Sequence, residues 1–210
     1  MKVPNLMALA LLVLTLSTAG VSAQTSTRTW VAPAGVVDVL MRGNNYTTHL
    51  NHQFFDWNKG GAKLKTALKP LGATAVPNYG YRAVTRTNVP DGQNNECPAF
   101  TRGCTGAPST SNWRRGRPVI YSTNATGGVS GGVAPGTLIA TFVADSRAPG
   151  GYRYGGHTAL HAGYTTDRPG ISLWDQNWNG DRTMLWHRLD VKNTNTVSDA
   201  KAYYVVETAK

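Results

Sequence analysis

Cysteine followed directly by proline is the first feature of this 210-residue chain that points to chemistry. Cys97 precedes Pro98, and proline suits the first turn of a helix, so we expect Cys97 at a helix N-terminus. There the helix dipole and free amide groups favour the thiolate, the reactive form of cysteine. The same amides are suited to bind an oxyanion. Glu96 is an adverse neighbour, because its negative charge opposes thiolate formation.

A histidine and an aspartate complete the constellation. His157 follows two glycines at the start of a predicted strand, and Asp175 lies near the end of the next one. Facing residues of adjacent strands lie side by side, so Asp175 is placed to orient His157 and to stabilise its imidazolium. Asn177, two residues further on, points to the same face and is a second candidate. Nucleophile, base and orienting residue together predict a thiol-dependent acyl-transfer site.

A short helix and a series of strands must position these residues. We expect a helix over Pro98–Arg102, ended by Gly103, and a second helix over Ala62–Leu71, ended by Pro70 and Gly72. The predicted strands are Thr137–Ala144, Thr158–Tyr164, Gly170–Gln176, Met184–Leu189 and Ala202–Glu207. A cysteine-bearing helix followed by an antiparallel sheet or small open barrel predicts an α+β fold.

These motifs, taken in chain order, resemble a known superfamily over residues 92–208. The cysteine segment reads ECPAFTRGCTGAPSTSNWRRG, the histidine strand GGHTALHAGY and the third strand GISLWDQNW. Together they resemble the papain-like cell-wall amidohydrolases, which include CHAP domains, murein endopeptidases and type VI secretion amidase effectors.

The resemblance implies a papain-like fold that hydrolyses a peptide or amide bond, typically in the peptidoglycan stem. We expect no cofactor and no metal. The resemblance also implies Cys97 as nucleophile, His157 as base and Asp175 as orienting residue, and Asn177 matches an asparagine of some CHAP domains. These enzymes often have glutamine directly before the cysteine. Here Gln93 is the nearest one and is therefore a candidate supporting residue. The implied partners are peptidoglycan or another peptide substrate, and an immunity protein or inhibitor.

Charge and the amino terminus indicate where such a protein acts. Lys and Arg number 21 against 11 Asp and Glu, a net charge of +10, which favours polyanionic surroundings such as bacterial walls. No nucleic-acid motif accompanies the charge. Lys2, an apolar run over residues 6–16 and Val21-Ser22-Ala23 predict a signal peptide over residues 1–23. The apolar run is too short for a transmembrane segment, which needs about 20 residues.

We therefore expect a secreted protein, extracellular or periplasmic. Its mature chain would be one domain over residues 24–210. Within that domain, residues 24–91 match the superfamily poorly and residues 92–208 form the catalytic core.

The sequence also fits several alternatives. Cys97 and Cys104 would form a disulfide in an oxidising compartment if Gly103 breaks the helix, whereas an unbroken helix sets residues seven apart at roughly 10 Å. A bridge would block Cys97 and favour a non-catalytic, wall-binding module on the same fold.

His157 and His161 have zinc-ligand spacing for a helix, but their segment predicts a strand, so a zinc hydrolase is the lesser alternative. An acyltransferase on the same scaffold is another. His187 lies in no motif and is predicted to be a surface or structural residue.

Overall fold

The computed structural model of the protein describes residues 26–49, 52–78, 81–86, 96–123, 129–178 and 184–210. The predicted signal peptide over residues 1–23 and Gln93 lie outside these ranges. The helices are α1 (Ala34–Met41), α2 (Trp57–Leu68) and α3 (Cys97–Thr105). The strands are β1 (Thr27–Thr29), β2 (Tyr46–His49), β3 (His52–Phe55), β4 (Ala73–Asn78), β5 (Tyr81–Arg86), β6 (Arg114–Pro118), β7 (Ser122–Thr123), β8 (Val129–Ser130), β9 (Leu138–Ala144), β10 (Tyr152–Tyr164), β11 (Gly170–Gln176), β12 (Met184–Asp190) and β13 (Tyr203–Ala209).

One antiparallel sheet dominates the described chain. Its order is β1-β13-β9-β10-β11-β12-β3-β2. Strand β6 lies outside this order and also pairs with β13, on the edge opposite β9. Strands β4 and β5 form a separate hairpin, as do β7 and β8. The five predicted strands are β9 to β13, and the predicted bounds of β11 agree with the structure. A cysteine-bearing helix beside an antiparallel sheet confirms the α+β prediction.

Helix α3 is longer than the sequence analysis predicted. It begins at Cys97, with Glu96 as N-cap, and runs through Gly103 to Thr105. Gly106 ends it in the left-handed conformation, at φ 75°, and its N–H donates to the carbonyl of Arg102 at 2.8 Å. The predicted end of the helix at Gly103 was wrong. Gly103 is buried inside the helix, and Gly106 supplies the positive φ that ends it.

Helix α2 also starts earlier than predicted. The Asp56 carboxylate caps it by accepting the Asn58 N–H at 3.0 Å, so the helix begins at Trp57. Leu64 and Leu68 are buried and face the core. A short 3-10 turn over Lys69–Leu71 and the left-handed Gly72 then end it, in agreement with the predicted stop.

Both faces of the sheet are buried. Alternate residues of β9 and β10 enter two different clusters, with Leu138 and Leu160 on the helix side and Ile139 and Ala159 on the other. Phe100 and Cys104 of α3 belong to the helix-side cluster, which fixes the helix against the sheet. Among the described residues, no helix combines the length and the apolar composition that crossing a membrane requires.

Candidate active site

Cys97 lies at the point where α3 begins and is almost wholly buried, with 8% of the residue exposed. Its Sγ lies 3.4 Å from the Oη of Tyr154. Pro98 has no N–H, and the Ala99 N–H donates to the carbonyl of Glu96 at 3.0 Å. Of the first three residues of the helix, Cys97 is therefore the one whose N–H is suited to donate to an oxyanion.

His157 sits in a bulge of β10. Tyr154 pairs with Phe142 and Thr158 with Ala140, so β10 contains two more residues than β9 in this interval. A bulge changes the direction of the side chains that it carries. The two glycines before His157 lie inside this bulge and do not open the strand, although the sequence predicted that they would. Strand β10 therefore starts earlier, at Tyr152.

Thr141 anchors this bulge from the neighbouring strand. Its hydroxyl donates to the carbonyl of Gly155 at 2.6 Å and accepts the His157 N–H at 2.9 Å. Gly156 adopts φ +102°, and a Cβ there would lie 2.5 Å from the Thr141 Oγ1. The backbone that carries His157 thus requires glycine at position 156.

The structure brings the three predicted triad residues together. The Nε2 of His157 lies 2.6 Å from the Oδ2 of the fully buried Asp175, which leaves the Nδ1 to exchange a proton with Cys97. Burial by itself lowers the pKa of His157, but hydrogen bonds to Asp175 and Cys97 outweigh that effect and raise the pKa to about 10. The raised pKa therefore favours the imidazolium form of His157 beside Cys97.

His187 and Tyr154 are two further residues of the site that the sequence motifs did not reveal. The Nε2 of His187 lies 2.9 Å from the Oδ2 of Asp175, so His187 is a buried site residue rather than a surface one. Burial and the nearby Cys97 raise the pKa of Tyr154, which keeps its phenol protonated beside the thiol. Period-two alternation places His187 on the face of Leu185, but the pairing register that brings it to Asp175 is not visible in the sequence.

Asn177 is hydrogen-bonded to Glu96, although the sequence made it a second candidate for orienting His157. Its Nδ2 donates to the Oε2 of Glu96 at 2.5 Å, while the Nε2 of Gln176 donates to the Glu96 carbonyl at 3.1 Å. The contact with His157 comes from Asp175 instead. The two amides tie the residue before the nucleophile to the end of β11.

Cys97 and Cys104 are both free thiols. They stand seven residues apart on one unbroken helix, roughly 10 Å along its axis, and a disulfide cannot span that distance. Cys104 is fully buried in the core, and burial raises its pKa far above the ordinary value. The disulfide alternative therefore does not fit this structure.

His161 is a structural residue. It is fully buried, its ring lies 4.7 Å from that of Tyr164, and its Nδ1 lies 3.4 Å from the carbonyl of Ala134. Burial lowers its pKa to about 4, so the ring is neutral. In the part of the chain that the structure describes, no three His, Cys, Asp or Glu side chains converge as metal ligands would.

A basic cavity of about 890 Å³ lies behind the site. Its lining includes Arg28, Arg114 and Lys210, and no described acidic residue lines it. Trp113 forms part of the wall, and its ring packs edge-on against Tyr154 at 5.2 Å. Since Tyr154 contacts the Cys97 thiol, the cavity and the candidate nucleophile are separated by these two aromatic rings.

Comparison with known proteins places the chain in a family. The family model described as domesticated amidase effector 2 matches residues 73–206, a range that contains Cys97, His157 and Asp175. No curated protein matches. A solved structure titled type 6 secretion amidase effector 2 is 21% identical, with a TM-score of 0.39, and the alignment covers 68% of this chain and 92% of that one.

The family match confirms the resemblance to papain-like amidase effectors and begins at residue 73, upstream of residue 92, where the resemblance in the motifs starts. Because it spans well over half of the sequence, this chain belongs to the domesticated amidase effector 2 family.

Proposed function

We propose that this protein is a secreted cysteine amidase or endopeptidase that hydrolyses amide bonds in peptidoglycan stem peptides. The observation that carries the proposal is a histidine whose Nε2 lies 2.6 Å from a buried aspartate, next to a cysteine at a helix start that helps to raise the pKa of this histidine. Membership of an amidase-effector family supports amide hydrolysis as the reaction.

In the acylation step, the Cys97 thiolate attacks the carbonyl carbon of the scissile amide and forms a carbon–sulfur bond. The carbonyl electrons move onto oxygen, and the Cys97 N–H at the start of α3 is placed to donate to that oxyanion. Collapse of the tetrahedral intermediate breaks the carbon–nitrogen bond. The leaving nitrogen takes the proton from the His157 imidazolium and departs as an amine.

In the deacylation step, neutral His157 takes a proton from water, and the resulting hydroxide attacks the thioester carbon. The carbon–sulfur bond breaks, the product leaves as a carboxylic acid that releases its proton to solvent, and Cys97 returns to the thiolate with His157 protonated. Asp175 keeps the imidazole oriented throughout, through the contact of its Oδ2 with Nε2.

The charge distribution supports a wall-associated substrate. The chain carries a net charge of +10, and three cations line the cavity behind the site. Such a surface attracts anionic wall polymers and raises their concentration near the enzyme. Action on the wall, outside the cytoplasm, agrees with the predicted signal peptide, and the amidase-effector family supports an immunity protein or inhibitor as a partner.

Hydrolysis of purified peptidoglycan by the mature chain, followed by mass spectrometry of the released fragments, tests the proposal. We expect wild type and Cys104→Ala to release fragments with new amine and carboxylate ends, and Cys97→Ala to release none. Full activity in Cys97→Ala would refute a cysteine mechanism. The same digestion in heavy-oxygen water separates hydrolysis from acyl transfer, because hydrolysis alone puts the label into the new carboxylate.

The free Cys97 thiol favours this function over the non-catalytic wall-binding alternative, which a blocked cysteine would have supported.

A further inference from the structure

The Asp175 carboxylate holds two imidazoles, although a catalytic triad needs only one. The Nε2 of His157 and the Nε2 of His187 lie 2.6 Å and 2.9 Å from the same oxygen, Oδ2. Both histidines are buried and Asp175 is fully buried. Because one carboxylate oxygen offers two lone pairs, the two N–H donors saturate Oδ2.

His187 approaches this oxygen from the neighbouring strand, β12. Asp175 pairs with Leu185 across β11 and β12, so His187 is a diagonal neighbour of Asp175 on the same face. The ring of Trp178 lies edge-on to His157 at 4.9 Å and tilted against His187 at 4.4 Å. One indole therefore restrains both imidazoles, and His187 is connected to Cys97 through Asp175 and His157.

A buried carboxylate needs donors to stay ionised. Burial raises the pKa of Asp175, but hydrogen bonds from His157 and His187 outweigh that effect and lower the pKa below its ordinary value. The other oxygen, Oδ1, has no hydrogen-bond partner among the described residues. Without His187, the carboxylate would depend on His157 alone, and its charge would support the imidazolium less well.

We propose that His187 is a positioning residue that holds Asp175 ionised and oriented, and that it thereby sustains the Cys97 thiolate–His157 imidazolium pair. This assignment rests on the proposed function, because it presumes that Cys97 is the nucleophile. It predicts that a buried residue linked to Cys97 through Asp175 and His157 controls how much of the thiol is ionised near neutral pH.

Ultraviolet absorbance of the thiolate, followed from acid to neutral pH in the mature protein, tests the assignment. His187→Leu removes the donor, and we expect the variant to hold about tenfold less thiolate near neutral pH than the wild type does. His187→Gln keeps an N–H donor of similar reach and should restore most of the thiolate. The matched control is His161→Gln, a buried histidine of the same sheet, which should leave the titration unchanged.

An unchanged thiolate titration in His187→Leu would overturn the proposal, as would an equal shift in His161→Gln. The readout needs no substrate, so it is independent of the proposed function. A thiolate that depends on His187 in a protein that leaves peptidoglycan intact would refute the function and support the assignment.

Nitrogen NMR of the wild-type imidazoles gives a second test that does not depend on a variant folding. The geometry requires a proton on the Nε2 of both His157 and His187, since each Nε2 donates to Asp175. Two protonated Nε2 atoms with downfield protons are the expected result. A His187 ring protonated on Nδ1 alone would contradict the proposal.

Discussion

At the scale of single residues, the site depends on keeping a fully buried aspartate charged. Asp175 lies in the protein interior, where an unpaired carboxylate would take up a proton. Its hydrogen bonds to two imidazoles lower its pKa instead. The negative charge then raises the pKa of His157 and so favours the imidazolium that a thiolate nucleophile requires.

Replacing this charge should disable catalysis while the fold persists. Asp175→Asn keeps the shape of the side chain but removes the charge and favours the wrong tautomer of His157. We expect kcat/KM to fall on the order of 10⁴-fold. Asp167→Asn, an exposed aspartate paired with Arg188, is the matched control and should retain activity. Comparable losses in both variants would contradict the role of Asp175.

The raised pKa of His157 also predicts how stability depends on pH. The folded protein holds the His157 proton up to a pKa of about 10, whereas the unfolded chain releases it near 6.5. The native state therefore binds more protons in this interval, and the free energy of unfolding should decrease as pH rises from about 6.5 to about 10. Urea denaturation at several pH values measures this slope, which should be shallower in His157→Gln. Equal slopes would show that His157 has no raised pKa.

At the scale of elements, short apolar strands between turn signals are readable from sequence, and their irregularities are not. The predicted bounds of β11 were right because a turn ending in Pro169 precedes an apolar run. Gly155 and Gly156 indicated the start of a strand, yet they lie inside β10 as a bulge, since a partner hydroxyl from Thr141 was needed to stabilise it. His187 was missed for the same reason, because only the pairing register of β11 and β12 reveals its contact with Asp175.

A methyl group added at Gly156, in the bulge, should reduce activity more than one added at a glycine in an ordinary turn. In Gly156→Ala the new Cβ would meet the Thr141 Oγ1 at 2.5 Å and the Val197 Cγ1 at 2.8 Å. Gly150→Ala is the matched control, with φ +75° but no atom within 4 Å. Both variants should lose about 1–2 kcal/mol of unfolding free energy from left-handed strain. Gly156→Ala should in addition lose most of its activity, because Thr141 can no longer hold the His157 backbone. Equal activity in both variants would contradict this role of the bulge.

At the scale of the whole molecule, the candidate site lies where one helix start meets the strands that carry its partners. The sequence motifs located Cys97, His157 and Asp175, because each carries a local signal of its own. The basic cavity was not predictable, since Arg28, Arg114 and Lys210 come from distant parts of the chain. Only the pairing of β1 and β6 with β13 brings the two arginines close to the end of β13.

These cavity cations should contribute more to wall binding than other charges do. In a Cys97→Ala background, joint replacement of Arg28, Arg114 and Lys210 by Gln should weaken sedimentation with purified peptidoglycan by roughly tenfold and reduce its salt dependence. Replacing Lys63, Lys65 and Lys69 by Gln removes the same charge from exposed positions on and just after α2. Identical losses in both sets would show that net charge, rather than the cavity, drives association.

The reactivity of Cys97 toward iodoacetamide near neutral pH tests the central claim most directly. The mature, non-reduced protein is labelled for increasing times, and each cysteine peptide is quantified by mass. We predict rapid labelling of Cys97, none of the buried Cys104, and loss of the rapid phase in His157→Ala. Labelling of Cys97 at the same rate with and without His157, or no labelling until reductant is added, would contradict an activated nucleophile.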